Sequence, residues 1–538
     1  MSTSISDSAA QGIDHLTANL MRRSCIGDLA TRGARHYGSR AAVVDGSVTL
    51  TYDELDRRAN SVASGLLESG LRRGDRLAVA ADNGWEFVVT YLACAKSAIA
   101  FLPMNFALSS DEMAYQLADS GVTRAVAGVE HLPKLAAAAA TVPTLEQIWV
   151  LTGTAESVDR TRSDLILRDW RELLEHDSAA VEVLVEDGDI LHCLYTSGTT
   201  STPKGVLTSH SAVLIAVLST ALQMRHRRGA SGSVLPIVLP MFHVTALDAL
   251  LLPLLATGGT ALLHTGFDPA TIIDDIRRHA VTHLVFIPMM WDALVRALAV
   301  TDDVDTTSVQ LGLYAMSPMS LDRLDELRAA FPRADIVLAS GQTETTPMSE
   351  MQWPEHQRTK HGAWGSPSVT TDVRIMNPDG VLLPPGEEGE IVYRSPQLMT
   401  EYWANPEANR SAFAHGWFHS GDIGYLDDDG VLWFTDRLKD IVKTGGENVS
   451  SLEVEQTIAD LPGVVECAVV GRLHLRWGEA VTAFVVAAAT DPISEEEVIA
   501  YCKSRLAGYK VPKTVVVVEA LPKTATGKIE KHRLRTVQ

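Results

Sequence analysis

The sequence predicts an α/β protein of more than one domain, on three observations. Between residues 41 and 130, short apolar runs alternate with amphipathic helical stretches, the pattern of parallel sheets covered by helices. From about Val373 the texture changes to antiparallel hairpins. The chain has 538 residues, too many for one hydrophobic core, and 46% apolar with 21% charged residues is a globular composition.

Taken in order, Ala41-Ala42-Val43-Val44 reads as a strand that the Asp45-Gly46 turn ends. Thr51 and Glu54 have capping-box spacing ahead of a helix to about Ser69, which Gly70 stops. Arg76 to Ala80 is a strand, and Asn83 to about Ser97 a helix. Ser163 to Asp189 is polar and reads as irregular. The most apolar long run, Val244 to Leu263, contains Asp248, Pro253 and Gly258-Gly259. Buried helix, turn and strand account for it better than a membrane span.

Strand-like runs continue at Ser233–Met241, Thr282–Pro288, Val309–Tyr314 and Asp335–Ala339. The first ends at Phe242-His243 and the last runs into Ser340-Gly341-Gln342-Thr343-Glu344. Ligands of open α/β sheets bind at the carboxyl ends of strands. His243, Glu344 and the turn after Ile190–Tyr195 are therefore expected to converge.

Beyond Val373, strands are expected at Val373–Met376 and Gly389–Tyr393, with a turn at Pro378-Asp379-Gly380. Trp417–Tyr425 and Val431–Phe434 flank Asp427-Asp428-Asp429-Gly430, a hairpin signal. The charged stretch Asp436-Arg437-Leu438-Lys439-Asp440 suits a domain boundary. About a hundred residues follow it, enough for a small α+β domain. Helices capped by Ser450 with Glu453 and by Ser494 with Glu497, strands near Cys467 and Phe484, and a last strand at Val515–Val518 are expected there.

The net charge of −21 argues against nucleic acid or an anionic membrane as partner. The five cysteines (Cys25, Cys94, Cys193, Cys467, Cys502) are scattered without a Cys-x-x-Cys pair, which suggests neither zinc nor disulfides and fits a reducing cytoplasm. Residues 1–12 are polar and lack a hydrophobic signal core.

The segment Thr196-Ser197-Gly198-Thr199-Thr200-Ser201-Thr202-Pro203-Lys204-Gly205 places six hydroxyls and two glycines in ten positions after an apolar strand. Glycine brings backbone N–H groups close to a ligand, hydroxyls add donors, and successive N–H groups form a nest for anions. Lys204 adds a point charge suited to polyphosphate. The order Lys-Gly rules out a Gly-x-x-x-x-Gly-Lys-Ser/Thr loop. The competing reading is an ordinary Ser/Thr-rich surface loop.

These blocks, in this order, resemble the adenylate-forming superfamily of acyl- and aryl-CoA synthetases, amino-acid adenylation domains and beetle luciferases. The resemblance runs from Leu50-Thr51-Tyr52-Asp53-Glu54-Leu55 to Pro522–Lys528. It implies a large N-terminal domain, here 1–436, of helix-covered sheets with a β-rich subdomain, and a mobile α+β domain over 437–538. It implies that acid and MgATP give acyl-AMP and pyrophosphate, and that CoA then displaces AMP. By resemblance, Thr196, Ser197, Gly198, Thr199, Thr200 and Lys204 hold the ATP phosphates, while Glu344 and Thr199 hold Mg²⁺, a hard cation preferring oxygen. Ser340, Gly341, Gln342, Thr343, Asp422 and Arg437 take the adenosine monophosphate part, Thr343 at the α-phosphate and Asp422 at the ribose. Lys528 bridges carboxylate and α-phosphate, and His243 is a gate beside the acyl carboxylate. Lys439 is the hinge, and Lys443, Gly445 and Gly446 line the CoA path.

Each assignment has a plainer competitor. The competing reading of Lys528 is a surface lysine, of Asp422 a turn cap, of Glu344 an acid at a helix N-terminus, and of His243 a core histidine, and in each case the functional reading is preferred. Val244, Leu247, Ile287, Met289 and Met290, with Ala315 and Ser317, hint at a hydrophobic acyl site. Three departures from the family pattern surround one pocket. Ser201 stands for a second glycine, Ser340 for the aromatic that stacks on adenine, and Tyr314-Ala315-Met316-Ser317-Pro318 for a glycine-rich stretch. Lost stacking would cost about 1–3 kcal/mol of nucleotide affinity. The first-choice function is an acid–CoA ligase. The runner-up passes acyl-AMP to a carrier protein or partner enzyme, no carrier domain being fused before Gln538. A nucleotide-binding sensor without catalysis is the third.

Overall fold

The computed structural model describes residues 12–151, 164–196, 203–229, 232–315, 319–488, 493–523 and 529–535. The helix Tyr52–Glu68 begins where the capping box predicts. The Thr51 hydroxyl accepts the Glu54 N–H, and the Glu54 carboxylate accepts the Thr51 N–H at 2.9 Å. The helix Glu495–Lys503 starts with the same reciprocal pair, Ser494 and Glu497. Ser450 caps Ser451–Ala459 by accepting the Glu453 N–H, but Lys510 engages the Glu453 carboxylate at 2.6 Å.

By its contacts the backbone divides into two units: Met1–Asp372 with Arg394–Arg410, and Val373–Tyr393 with Ser411–Gln538. The first unit holds three sheets among the described residues. The largest has eight strands, in the order Glu401–Tyr402, Lys204–Ser209, Ile190–Thr196, Ala100–Pro103, Arg76–Ala80, Arg124–Gly128, Gln147–Leu151 and Ile166–Asp169. From Ile190–Thr196 outward to Ile166–Asp169 the neighbours are parallel, and Lys204–Ser209 and Glu401–Tyr402 add antiparallel partners.

Both faces of this sheet are covered. Leu77 and Val79 pack with Phe101, Trp149 and the helices Tyr52–Glu68 and Trp85–Lys96, whereas Ala78 and Ala80 pack with Leu102, Leu117 and Leu135 on the other face. A strand buried on both sides reads as a continuous apolar run, which is why Arg76–Ala80 is legible in the sequence. Ile166–Asp169 corrects one expectation. The segment expected to be irregular supplies the edge strand and a 3₁₀ turn over Trp170–Glu175. Backbone pairing with Gln147–Val150 and the packing of one side chain, Leu167, hold that strand, whose other side chains are exposed or half-buried and need no apolar pattern.

The second sheet orders Val234–Ile237, Thr260–Leu263, Ala41–Asp45 and Val48–Thr51, and the third orders His283–Phe286, Leu311–Tyr314, Asp335–Gly341, Met348–Met351 and Ser366–Pro367. The apolar run before Leu263 is a π-helical turn over Thr245–Leu251, a helix over Leu252–Thr257 and then the Thr260–Leu263 strand, all largely buried. The strands leading to the phosphate-type turn, to His243 and to Glu344 thus lie in three different sheets, not at the end of one.

In the second unit, Asp372–Met376, Gly389–Arg394, Phe418–Leu426 and Leu432–Arg437 form a four-stranded sheet that includes the expected hairpin. A further sheet orders Glu447–Val449, Val442–Thr444, Gly478–Ala487 and Val464–His474, with Thr514–Val517 parallel to Gly478–Ala487. The five cysteines are unbridged thiols.

Candidate active site

Two groups of candidate residues are described, one in each unit. The first grows from the antiparallel ladder of Ile190–Thr196 with Lys204–Ser209, in which Thr196 faces Lys204 and Tyr195 faces Gly205. A ladder closed at that level holds both ends of the intervening segment at fixed separation. Ser197, Gly198, Thr199, Thr200 and Ser201 lie outside the described residues, as do Ser317 and Lys528. The ends are tied down from a helix as well. The Tyr195 hydroxyl donates to Asp119, and the Tyr115 hydroxyl donates to the Pro203 carbonyl at 3.3 Å.

The two-residue strand Glu401–Tyr402 pairs with Val206 and Leu207 and brings Tyr402 to the same place. Its hydroxyl donates to Glu344 Oε1 at 2.8 Å, and its ring centroid lies 4.8 Å from Lys204 Nζ. The Met399 N–H donates to the Glu344 carbonyl at 2.8 Å. Burial, and then the Glu344 carboxylate, push the Tyr402 hydroxyl far above its usual 10, so it stays a donor across the working range. Glu344 sits in a 3₁₀ turn, Thr343–Thr345, directly after the strand that ends at Gly341. Gly341 has φ +151°, and a Cβ there would lie 1.5 Å from the Pro347 carbonyl oxygen, so only glycine fits. Ser340, Gln342, Thr343 and Glu344 are all half-buried around it.

Tyr402 is missing from the residues singled out in the sequence. Two residues are too few to show a period, and almost two hundred separate Tyr402 from Lys204.

His243 follows the strand Val234–Ile237 through a loop clamped by Asn83. That side chain accepts the Met241 N–H at 2.8 Å and donates to the Leu239 and His264 carbonyls, each at 2.9 Å. The His243 ring packs on Phe242 at 4.7 Å, and Nε2 has no partner among the described residues. Of the acyl-site candidates, Val244 is buried, Leu247 lies wholly inside the main core beside Met241 and Leu250, and Met289 is exposed. Ile287, Met290 and Ala315 are half-buried.

Burial lowers the His210, His243 and His283 imidazoles to about 4 from 6.5, and His226 well below 6.5. In the unfolded chain the same groups take protons near 6.5. The unfolded state therefore binds more protons between pH 6.5 and 4, and stability falls as pH drops through that window. Urea unfolding at pH 5 is expected to lose on the order of 2 kcal/mol per lowered histidine relative to pH 7.5. Equal midpoints at the two pH values would contradict this.

The second group is in the other unit. Asp422 and Arg437 are ladder partners, the Asp422 side chain is almost wholly buried, and Arg437 Nε forms an ion pair with its Oδ1 at 2.8 Å. Just beyond, Asp436 accepts the Arg437 N–H at 2.7 Å and the Ser451 N–H at the start of the helix Ser451–Ala459. Arg535 donates to the Lys439 carbonyl and to Asp440, both at 2.8 Å, and burial lowers the Lys439 amine. Gly445 and Gly446, φ +61° and +90°, make the tight turn of the hairpin Val442–Val449, and Lys443 is exposed.

Residues 30–403 match the family model of the AMP-binding enzyme, and residues 453–528 match that of the AMP-binding enzyme C-terminal domain. The chain belongs to the AMP-binding enzyme family. Among curated relatives, it is 36% identical to a feruloyl-CoA synthase of Amycolatopsis sp over 96% of this chain and 99% of that protein. It is 35% identical to a long-chain-fatty-acid–CoA ligase of Mycobacterium tuberculosis over 91% and 93% of the two chains. Among solved structures, ATP-bound MatB from Rhodopseudomonas palustris superposes with a TM-score of 0.84 at 30% identity, over 95% of this chain and 98% of that one. O-succinylbenzoate CoA synthetase from Bacillus subtilis, in complex with its acyl-adenylate, superposes with a TM-score of 0.82 at 28% identity over the same shares.

The α/β fold with a large and a small domain is the one these AMP-binding enzymes have, as expected from the sequence. The chain is an adenylate-forming acid–thiol ligase of the acyl-CoA synthetase type, a class that uses ATP and CoA. No helix among the described residues is long and apolar enough to cross a membrane.

Proposed function

We propose that this AMP-binding enzyme activates a hydrophobic carboxylic acid. A carboxylate oxygen attacks the α-phosphorus of ATP, the bond to the β-phosphate bridging oxygen breaks, and pyrophosphate leaves. The CoA thiolate then attacks the acyl carbon and AMP departs with the bonding pair. The observation that carries this reading is the Tyr402-centred cluster, which joins Lys204, at the end of the segment read as a phosphate loop, to the Glu344 carboxylate in one unit. The feruloyl and long-chain relatives and the buried apolar surroundings of His243 support a hydrophobic acid.

In this reading Thr196 to Lys204 cradle the β- and γ-phosphates with N–H, hydroxyl and ammonium donors, and Thr343 meets the α-phosphate. Glu344 fits a hard cation. One oxygen accepts from Tyr402, and Oε2 has no partner among the described residues. With Thr199 it would hold Mg²⁺, which supplies charge neutralisation at the phosphates. Lys528 places an ammonium between carboxylate and α-phosphate where negative charge builds. His243, held neutral by burial, stands as the gate. The domain boundary would fall at 437. Rotation at Lys439, with Arg535 releasing its peptide, would carry Lys443, Gly445 and Gly446 to the pantetheine path.

Pyrophosphate release from ATP with a panel of carboxylic acids, first without CoA and then with it, tests the reading. Pyrophosphate followed by thioester is expected with aryl or long-chain acids. Acyl-AMP that never becomes a thioester would favour a carrier protein or partner enzyme as acceptor, and no pyrophosphate with any acid would favour a sensor.

In this reading Asp422, almost wholly buried and paired with Arg437, accepts hydrogen bonds from the ribose hydroxyls. Asp422→Asn is expected to raise KM for ATP roughly tenfold, the scale of hydrogen bonds to a charged group. With 2′,3′-dideoxy-ATP the variant and the wild type should be alike. A penalty of the same size on both nucleotides would remove Asp422 from the ribose site.

A further inference from the structure

Glu344 and Lys204 must be kept in register although the strands that carry them to the site lie in different sheets. Glu344 follows the strand Asp335–Gly341 of the five-stranded sheet, while Lys204 begins a strand of the eight-stranded sheet. Side chains as long as these, on separate elements, have no intrinsic reason to hold one relative position.

The structure assigns that task to Tyr402: we infer that it is a positioning residue that orients the Glu344 carboxylate and the Lys204 ammonium together for the metal–triphosphate. The inference rests on the proposed role of Glu344 as metal ligand. Three observations carry it. The Tyr402 hydroxyl donates to one named oxygen, Glu344 Oε1, at 2.8 Å. Its ring lies 4.8 Å from Lys204 Nζ, within reach of a cation–π contact. Its backbone is fixed from both sides, because Tyr402 pairs with Val206, the Trp403 N–H donates to the Gly205 carbonyl at 2.7 Å, and the Trp403 indole N–H donates to the Asp119 carbonyl at 2.8 Å.

The geometry has a chemical consequence. A carboxylate with one oxygen held by a phenol offers the other oxygen to a cation in a set direction. That favours a single carboxylate bond, leaving positions for phosphate oxygens and water, the usual arrangement of Mg²⁺ with nucleotides. The tyrosine is almost wholly buried, so the donor does not rotate into solvent. The ring meanwhile restrains the lysine from one side, and the ammonium has three N–H donors, so others remain for phosphate.

Calorimetric binding of ATP, with and without Mg²⁺, and of AMP separates positioning from a structural role. Tyr402→Phe removes only the hydroxyl. It is expected to weaken binding of MgATP about tenfold, to raise the Mg²⁺ concentration needed for half-saturation by a similar factor, and to leave metal-free ATP and AMP within about twofold. Tyr402→Leu, which also removes the ring, should weaken metal-free ATP too, through Lys204. In a Glu344→Gln background Tyr402→Phe should add little, since the two act as a unit. Unchanged MgATP binding by Tyr402→Phe, or equal losses for MgATP and AMP, would overturn the inference. If Glu344→Gln itself leaves the Mg²⁺ dependence unaltered, the metal assignment of Glu344 fails, and the role given to Tyr402 fails with it.

Discussion

Lys528→Ala is expected to slow acyl-AMP formation about a thousandfold while leaving thioester formation from synthetic acyl-AMP within a few-fold of wild type. The size follows from the charge problem of the first half-reaction. A carboxylate approaches a triphosphate, and the transition state places added negative charge at the α-phosphate oxygens. A preorganised donor removed from such a centre costs about 10²–10³ in rate, and a full positive charge stands at the upper end. The second half-reaction begins from a neutral acyl carbon, with the two anions already joined, so it does not need that ammonium. Pyrophosphate exchange and a thiol-consumption assay on acyl-AMP read the two steps separately. Equal loss in both would show that Lys528 is structural or serves a different step.

The second large effect is expected on stability. His192, on the strand entering the phosphate-type turn, and Asp248, on the π-helical turn after His243, meet at 2.9 Å with no exposed side-chain surface on either. Removing one partner of a buried pair leaves the other desolvated and uncompensated. His192→Ala is therefore expected to cost about 3–5 kcal/mol of unfolding free energy. Replacing both by apolar residues of similar volume, His192→Leu with Asp248→Leu, should recover much of that. Urea midpoints decide it. A double variant no more stable than the single one would mean that packing, not the unpaired carboxylate, sets the cost.

Much of the architecture was legible because local chemistry and global fold agree. The capping boxes at Thr51 and Ser494 need only neighbouring residues and are found where their spacing puts them. The doubly buried strands of the large sheet are legible for the same reason, as is the hairpin around Asp427–Gly430. The edge strand Ile166–Asp169 was not, since none of its side chains is fully buried and backbone pairing needs no residue pattern. Leu247 looked like a pocket residue because apolar character does not distinguish a ligand cavity from a packed core.

The sequence by itself determined the family, the two-part α/β organisation and the identity of the acids, lysines and glycine turns that the proposed chemistry needs. Those are short-range features, written in residue type and spacing. Only the tertiary structure decided which of them are held together. It showed that the strands feeding the turn, His243 and Glu344 belong to three sheets. It also showed that Tyr402, almost two hundred residues from the turn in sequence, links Lys204 to Glu344. Such a link depends on how separate sheets pack, and a two-residue strand carries no periodic signal of where it will pair.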